Sequence, residues 1–147
     1  MSRVDDEALD AERRTVKAFV IKQRQERWLR DLTRPMLKRR DTVRLYDRRD
    51  LDDRWATPVS KQDHTPQGVL DQLRRLRRLR RRGAPAQAWL MQAHAVAQQH
   101  DLSVAVTKVL EDAAGGVGGA IVICIPGELA YHETETEGGF VLHRRAM

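Results

Sequence analysis

The strongest periodic pattern in the chain lies in residues 65–83, TPQGVLDQLRRLRRLRRRG. On a helix of about 100° per residue, its valine and leucines cover one half of the surface and most of its arginines cover the other. Thr65 suits the N-cap, and Pro66 suits the first turn because no N–H donor is needed there. Gly83 and Pro85 suit the C-terminus. The pattern therefore predicts a helix over residues 65–83 whose apolar face packs on the core.

The arginines of this predicted helix fall into two groups. Leucine recurs every three residues and so drifts around a helix of about 3.6 residues per turn, which places Arg77 and Arg80 inside the apolar half. There their aliphatic stems can cover the edge of the core while the guanidinium groups stay in water. The other five arginines form the outward face: Arg74, Arg75, Arg78, Arg81 and Arg82.

The N-terminal part of the chain predicts further helices. Residues 5–33 begin with acidic side chains, which the helix dipole favours, and continue with a plausible core face. One bent helix and two consecutive helices both fit this stretch, and residues 18–21 could instead form a short buried strand. Residues 36–48 predict another helix, with a strand over residues 42–46 as the alternative. Residues 49–64 predict an ordered connection.

The C-terminal part predicts strands around one helix. Residues 88–91 form a short apolar strand, and residues 93–99 predict a weakly helical or irregular connection. A helical pattern covers residues 102–114 and ends at a run of glycines. Residues 120–125 are apolar at every position, which is typical of a central strand covered on both faces. These segments predict a strand–helix–strand crossover within residues 87–125.

Two antiparallel strands are predicted after the crossover, over residues 128–134 and 140–144. Pro126 and Gly127 suit the central positions of a type II turn. Because a type II turn matches the twist of a two-residue hairpin poorly, the pattern predicts a wider connection or a bulge at this point.

Together these elements predict an α+β fold in a single domain of 147 residues. Residues 1–64 supply the N-terminal helices, and residues 65–83 supply the arginine-rich helix. We expect both to pack on one side of a small mixed sheet of about four strands, which residues 87–145 supply.

Composition predicts a cytoplasmic protein that does not enter the membrane. No apolar run approaches the ~20 residues that span a bilayer, and the first ten residues lack the apolar stretch of a secretion signal. The single cysteine, Cys124, has apolar neighbours, which favours a buried and unreactive thiol in a reducing compartment.

Charge is distributed unevenly along the chain, whose formal net charge is +6. Residues 1–82 contain 24 Lys and Arg against 14 Asp and Glu, whereas residues 83–147 contain 3 against 7. Such an asymmetry indicates a polyanionic partner or an electrostatic docking surface. An arginine-rich source proteome would produce the same counts without a partner.

Residue types that carry chemistry occur without the spacing that catalysis or metal binding requires. The glycine run before residue 120 is not followed by the Lys-Ser/Thr of a phosphate loop. The four aspartates of residues 47–53 alternate with arginines, which favours local ion pairs over a divalent-ion site. His132 and His143 are too few for a zinc site. We therefore expect no metal, no cofactor and a non-enzymatic role, and we rank a catalytic site around these two histidines last.

The arginine array supports two binding hypotheses. Guanidinium groups bind phosphates through paired donors, and a helical array can follow a nucleic-acid backbone. The chain has few aromatic residues and no familiar base-reading motif, which argues against sequence-specific recognition. The first hypothesis is therefore a non-catalytic module that binds nucleic acid or another polyanion by charge. The alternative is a subunit or adaptor that docks the same helix on an acidic protein partner. The third interpretation is a solvated face without a partner. The predicted contact residues are Arg74, Arg75, Arg78, Arg81, Arg82, Lys38, Arg39 and Arg40.

Overall fold

A computed structural model describes residues 3–80 and 87–144, and it describes their side chains except those of residues 3, 4 and 77–80. Its helices are α1 (Arg3–Phe19), α2 (Lys22–Asp31), α3 (Met36–Thr42), α4 (Pro66–Arg80) and α5 (Leu102–Ala114). Its strands are β1 (Ala56–Pro58), β2 (Gln87–Gln92), β3 (Ala95–Asp101), β4 (Ala120–Ile125), β5 (Leu129–Glu133) and β6 (Gly139–His143). A single 3₁₀ turn, Asp53–Trp55, precedes β1.

The strands form one sheet in the order β1-β6-β5-β4-β2-β3, and every neighbouring pair is antiparallel. The α+β class predicted from the sequence is confirmed. The predicted count of about four strands is wrong, because the described part of the chain contributes six. The prediction of a mixed sheet is wrong as well, because no neighbouring pair in this part of the chain is parallel. The two additional strands, β1 and β3, are the edges of the sheet.

Both edge strands have sequences that give weak strand signals. Residues 93–99 were expected to be irregular or weakly helical, but most of them belong to β3, where Leu90 pairs with Gln98 and Trp89 with Gln99. An edge strand is covered on fewer sides than a central strand, so it does not need a continuous apolar run. β1 has only three residues, and its Pro58 is tolerated because an edge strand can lose a backbone donor.

The crossover through α5 starts from a different strand than predicted. α5 spans Leu102–Ala114 as expected, and it follows β3 directly. β2 lies between β3 and β4 and is antiparallel to both, so β3 and β4 run in the same direction without pairing. The strand at residues 88–91 was expected to run parallel to residues 120–125. It runs antiparallel instead, with Trp89 opposite Ile123.

Helices cover both faces of the sheet, and every residue of its strand β4 is accordingly apolar and buried. Ile121 and Ile123 join the core formed with α1 and α2. Val122 and Cys124 point the other way and join the core formed with α4 and α5. The expectation that the N-terminal helices and the arginine-rich helix share one side is therefore wrong, since they lie on opposite faces of the sheet.

α1 and α2 are separate helices, which is one of the two arrangements that the sequence predicted. Between them, Ile21 donates its N–H to the carbonyl of Asp50 at 2.8 Å, and Val20 pairs with Leu51 in an isolated bridge. Apart from this bridge, residues 18–21 do not form the short strand that the sequence offered as an alternative. The chain is thus pinned to the later loop at the point where the helix breaks.

α3 is shorter than the sequence predicted. It ends at Thr42, so the expected helix over residues 36–48 is too long, and the alternative strand over residues 42–46 does not form. Val43 and Leu45 are nevertheless 0% and 1% exposed. Burial of these two side chains explains the apolar alternation that suggested a strand.

The turn between β4 and β5 follows the prediction. Glu128 donates its N–H to the carbonyl of Ile125 at 2.9 Å, and Gly127 has a φ of 80°. The β4–β5 register shifts between Ile123 and Ile125. The bulge expected beside this Pro-Gly turn is therefore confirmed.

Candidate polyanion-binding surfaces

α4 is anchored at its N-terminus and along its apolar face. The Thr65 hydroxyl accepts the N–H of Gly68 at 3.0 Å, which is the cap that the sequence predicted. Val69 and Leu73 are each 0% exposed, and Leu70 is also buried in the core shared with α5. The leucine face is thus committed to the core over the first two turns.

The outward side of α4 carries Arg74 and Arg75, which are both exposed. The side chain of Arg78 is outside the described residues, although its backbone continues the helix. Arg81 and Arg82 also lie outside the described residues, as does the predicted helix end at Gly83. The described part of α4 therefore presents two exposed arginine side chains on a helix that the core holds in place.

A second basic surface lies in a groove of about 510 Å³ between α2 and α3. We call it the α2–α3 groove, and its cations are Arg27, Arg30, Arg34 and Lys38. Of these, the sequence-based set included only Lys38. Arg27 and Arg30 are three residues apart, which places them on one face of α2, and this spacing was the signal for them. Arg34 lies in the turn after α2. All four are exposed.

The α2–α3 groove also contains Asp31, whose carboxylate moderates its positive charge. Thr42 donates its hydroxyl to this carboxylate, and Arg30 Nε lies 3.2 Å from it. The hydrogen bond from Thr42, followed by that from Arg30, lowers the pKa of Asp31 and keeps it ionised. Arg30 is therefore already paired with a carboxylate inside the groove.

Arg39 is buried and does not belong to either basic surface. Its side chain is 2% exposed, and its guanidinium donates two hydrogen bonds to the Glu12 carboxylate, at 2.6 and 3.1 Å. It also donates to the carbonyls of Leu32 at 3.1 Å and Gln92 at 2.6 Å. The inclusion of Arg39 among the polyanion contacts is therefore corrected, because all of its outer nitrogens are used inside the protein.

Arg40 and Lys38 flank the buried Arg39 on α3, and both are exposed. α3 packs on α2 and is joined to α1 through Arg39, so these two residues belong to the helical layer on one face of the sheet, whereas Arg74 and Arg75 belong to the layer on the other face. The predicted contact residues therefore do not lie on a single surface. A straight nucleic-acid segment on α4 would not reach α3.

His132 and His143 do not form a joint site. His132 lies opposite Phe140 and His143 lies opposite Leu129, so the two imidazoles extend from opposite faces of the sheet. His132 is 0% exposed, and its Nε2 lies 2.7 Å from the carbonyl oxygen of Leu45. Desolvation by burial lowers its pKa to about 4. The hypothesis of a catalytic pair at these positions loses its geometric basis.

The aspartates of residues 47–53 form ion pairs, as their alternation with arginine indicated. Arg54 binds Asp52 at 2.7 Å, and Arg49 lies 3.4 Å from Asp47. The hydrogen bond from Arg54 lowers the pKa of Asp52. Across residues 3–80 and 87–144, no group of three or more potential ligands is arranged to hold a metal ion.

Comparison of the chain with protein-family models, with curated proteins and with solved structures gave no match. None of the helices that the structure describes has the length and apolar character needed to cross a bilayer.

Proposed function

We propose that the protein is a non-catalytic module that binds nucleic acid or another polyanion by charge, without reading sequence. One observation carries the proposal: α4 buries Val69 and Leu73 completely and leaves Arg74 and Arg75 exposed on its outward side. Because the helix is already held by its apolar face, contact with phosphates costs no ordering of the backbone. Arg78, Arg81 and Arg82 extend the same face in the helical pattern of the sequence.

The α2–α3 groove supplies a second proposed contact on the other side of the sheet. Residues 22–44, which include the groove, contain nine Lys and Arg against three Asp and Glu. Arg27, Arg34 and Lys38 make no ion pair within 4 Å among the described side chains, so their charges are available to an anion. A long polyanion that bends around the protein, or two separate strands, could occupy both surfaces.

Charge reversal on each surface tests the proposal. We expect Arg74→Glu with Arg75→Glu to weaken the binding of a short single-stranded DNA by about tenfold or more at low salt, since each lost contact also adds repulsion. Arg27→Glu with Arg34→Glu tests the groove in the same way. Fluorescence anisotropy of labelled DNA measures all variants, and circular dichroism confirms the fold.

The matched control is Arg13→Glu with Lys17→Glu, which changes the net charge equally. Both residues are exposed on α1, on the opposite side of the sheet from α4. An α4 variant that binds DNA as well as this control contradicts the proposal. Absence of DNA binding together with a co-purifying acidic protein that survives nuclease treatment would favour the adaptor alternative. We further propose a cytoplasmic location, because the chain has a single cysteine, the buried Cys124, and so cannot form an internal disulfide.

A further inference from the structure

An acidic cleft of about 530 Å³ lies beside the N-terminal end of α4, on the α4–α5 side of the sheet. Its walls are the start of α4, the last turns of α5 and the turn between β5 and β6. We call it the Glu133 cleft, after the carboxylate that lines it. Its volume lies in the range of about 300 to 1,000 Å³ that is usual for small-molecule sites.

The Glu133 carboxylate is held rigidly. Its side chain is 2% exposed, and Oε1 accepts the Tyr131 hydroxyl at 2.5 Å and lies 2.7 Å from Nε2 of His64. Any Cβ at Gly139 would overlap the Tyr131 hydroxyl, so glycine makes room for this arrangement. Burial raises the pKa of Tyr131, and the hydrogen bond to Glu133 acts in the same direction. The phenol is therefore a permanent donor.

The second oxygen of Glu133 is uncommitted. Among the described residues, none donates a hydrogen bond to Oε2, whereas Oε1 has two partners. Glu133 also lines a smaller cavity of about 130 Å³ next to β2 and the glycine segment. Oε2 is not among the described buried atoms that lack a hydrogen-bond partner, so it keeps accessible surface in the cavities that Glu133 lines and can accept a donor from a ligand.

The remainder of the cleft favours a positive charge with an apolar body. Glu111 and Glu135 are exposed at its rim, and among the described residues His64 is the one basic side chain that lines it. The last turn of α5 contributes the negative end of its helix dipole and the start of α4 contributes a positive end, so the two dipoles oppose each other and the carboxylates determine the sign of the local charge. Pro66 and Leu110 supply apolar wall. This local charge is opposite to the net charge of +6 of the whole chain.

The geometry of the free oxygen distinguishes between two kinds of cation. A guanidinium binds a carboxylate best through two parallel N–H groups, which need both oxygens. An ammonium is a compact charge whose three N–H groups can point to separate acceptors. With Oε1 of Glu133 already occupied, one free oxygen plus the rim carboxylates suits an ammonium better.

We propose that the Glu133 cleft binds a small aliphatic primary ammonium, with its head on Glu133 Oε2 and its chain along Leu110 and Ala113. A free alkylamine and the lysine side chain of another molecule share this chemistry. The site is separate from the arginine face and does not depend on polyanion binding.

Titration of ¹⁵N-labelled protein with butylamine and 1,4-diaminobutane tests the site. We expect saturable shifts of backbone amide signals confined to residues 110–114 and 133–138, with 1-butanol and butylguanidine binding more weakly. Nα-acetyl-lysine amide identifies the source: affinity equal to butylamine indicates a lysine side chain, and weaker binding indicates a free amine. If 1-butanol or butylguanidine binds as tightly as the amines, the proposal is overturned.

Three variants locate the ammonium. Glu133→Gln keeps an oxygen for Tyr131 and His64 but removes the charge, and it should weaken butylamine binding by about tenfold or more. Ala113→Leu narrows the cleft without changing any charge and should also weaken binding. Glu135→Gln, at the exposed rim, leaves the buried hydrogen bonds intact and should produce a smaller loss. If folded Glu133→Gln and Ala113→Leu both bind like the parent protein, the proposal fails.

Discussion

The ion pair between Arg39 and Glu12 joins α3 to α1 inside the core. Burial is the largest influence on Glu12 and raises its pKa, while the hydrogen bond and charge of Arg39 oppose that effect. The sequence did not indicate this pair, because Arg39 stands in a Lys-Arg-Arg run and its partner lies 27 residues away. Nothing in the local sequence shows which residue of a basic run is the buried one.

Removing the charge of Glu12 should be strongly destabilising. Glu12→Gln leaves Arg39 buried without its counter-ion, and we expect the free energy of unfolding to fall by about 3–5 kcal/mol. The matched control is Asp10→Asn, which breaks an exposed ion pair with Arg14 and should cost under about 1 kcal/mol. Urea unfolding measures both. A Glu12→Gln loss no larger than that of the control would show that the buried pair does not stabilise α1 against α3.

His132 should make stability depend on pH. Its pKa in the folded protein is lowered to about 4 from 6.5, with desolvation as the main cause. Between these values the unfolded chain binds a proton that the folded protein does not, so stability falls as the pH is lowered, by up to about 3 kcal/mol. Urea unfolding between pH 7 and pH 4 measures this loss. His132→Gln should make the free energy of unfolding depend less on pH, whereas His94→Gln, at an exposed position, should not. If the two variants show the same pH dependence, His132 is not its source.

Elements differed in how well their sequences predicted them. β4 was predicted correctly because all six of its residues are apolar and buried. α5 was predicted correctly because its periodic face is followed by glycines. β3 was missed because it is an edge strand whose residues are mostly polar and partly exposed. Missing β3 caused a second error, because residues 88–91 were taken as the strand that leads into α5, whereas β3 leads into it.

The glycine segment between α5 and β4 is a place where two elements approach closely. Any Cβ at Gly118 would overlap the backbone of Glu135, whereas a Cβ at Gly115 would meet only ordinary contacts at 3.6 Å or more. We therefore expect Gly118→Ala to lower the free energy of unfolding by about 1–3 kcal/mol. Gly115→Ala should change it by less than about 0.5 kcal/mol. Thermal or urea unfolding of both variants provides the measurement, and equal effects would contradict the close packing of this segment.

At the scale of the whole molecule, helical layers on both faces of one antiparallel sheet separate the basic surfaces. The sequence predicted the charge asymmetry and the leucine face of α4, because both are local properties. It could not predict which face of the sheet each helix covers, because this depends on how β2, β3 and β4 are connected. The predicted polyanion contacts were therefore given as one set, although α3 and α4 lie on opposite sides of the sheet.

The salt dependence of DNA binding tests the central claim most directly. If arginines on α4 neutralise phosphates, the logarithm of the association constant should fall linearly with the logarithm of salt concentration, with a slope of about −0.7 per contact on single-stranded DNA. We expect a slope of about −3 or steeper, since five arginines form the outward face of the helical pattern. Arg74→Glu with Arg75→Glu should reduce its magnitude by about 1.4 or more. A slope near zero, or one that this variant leaves unchanged, would contradict binding through α4.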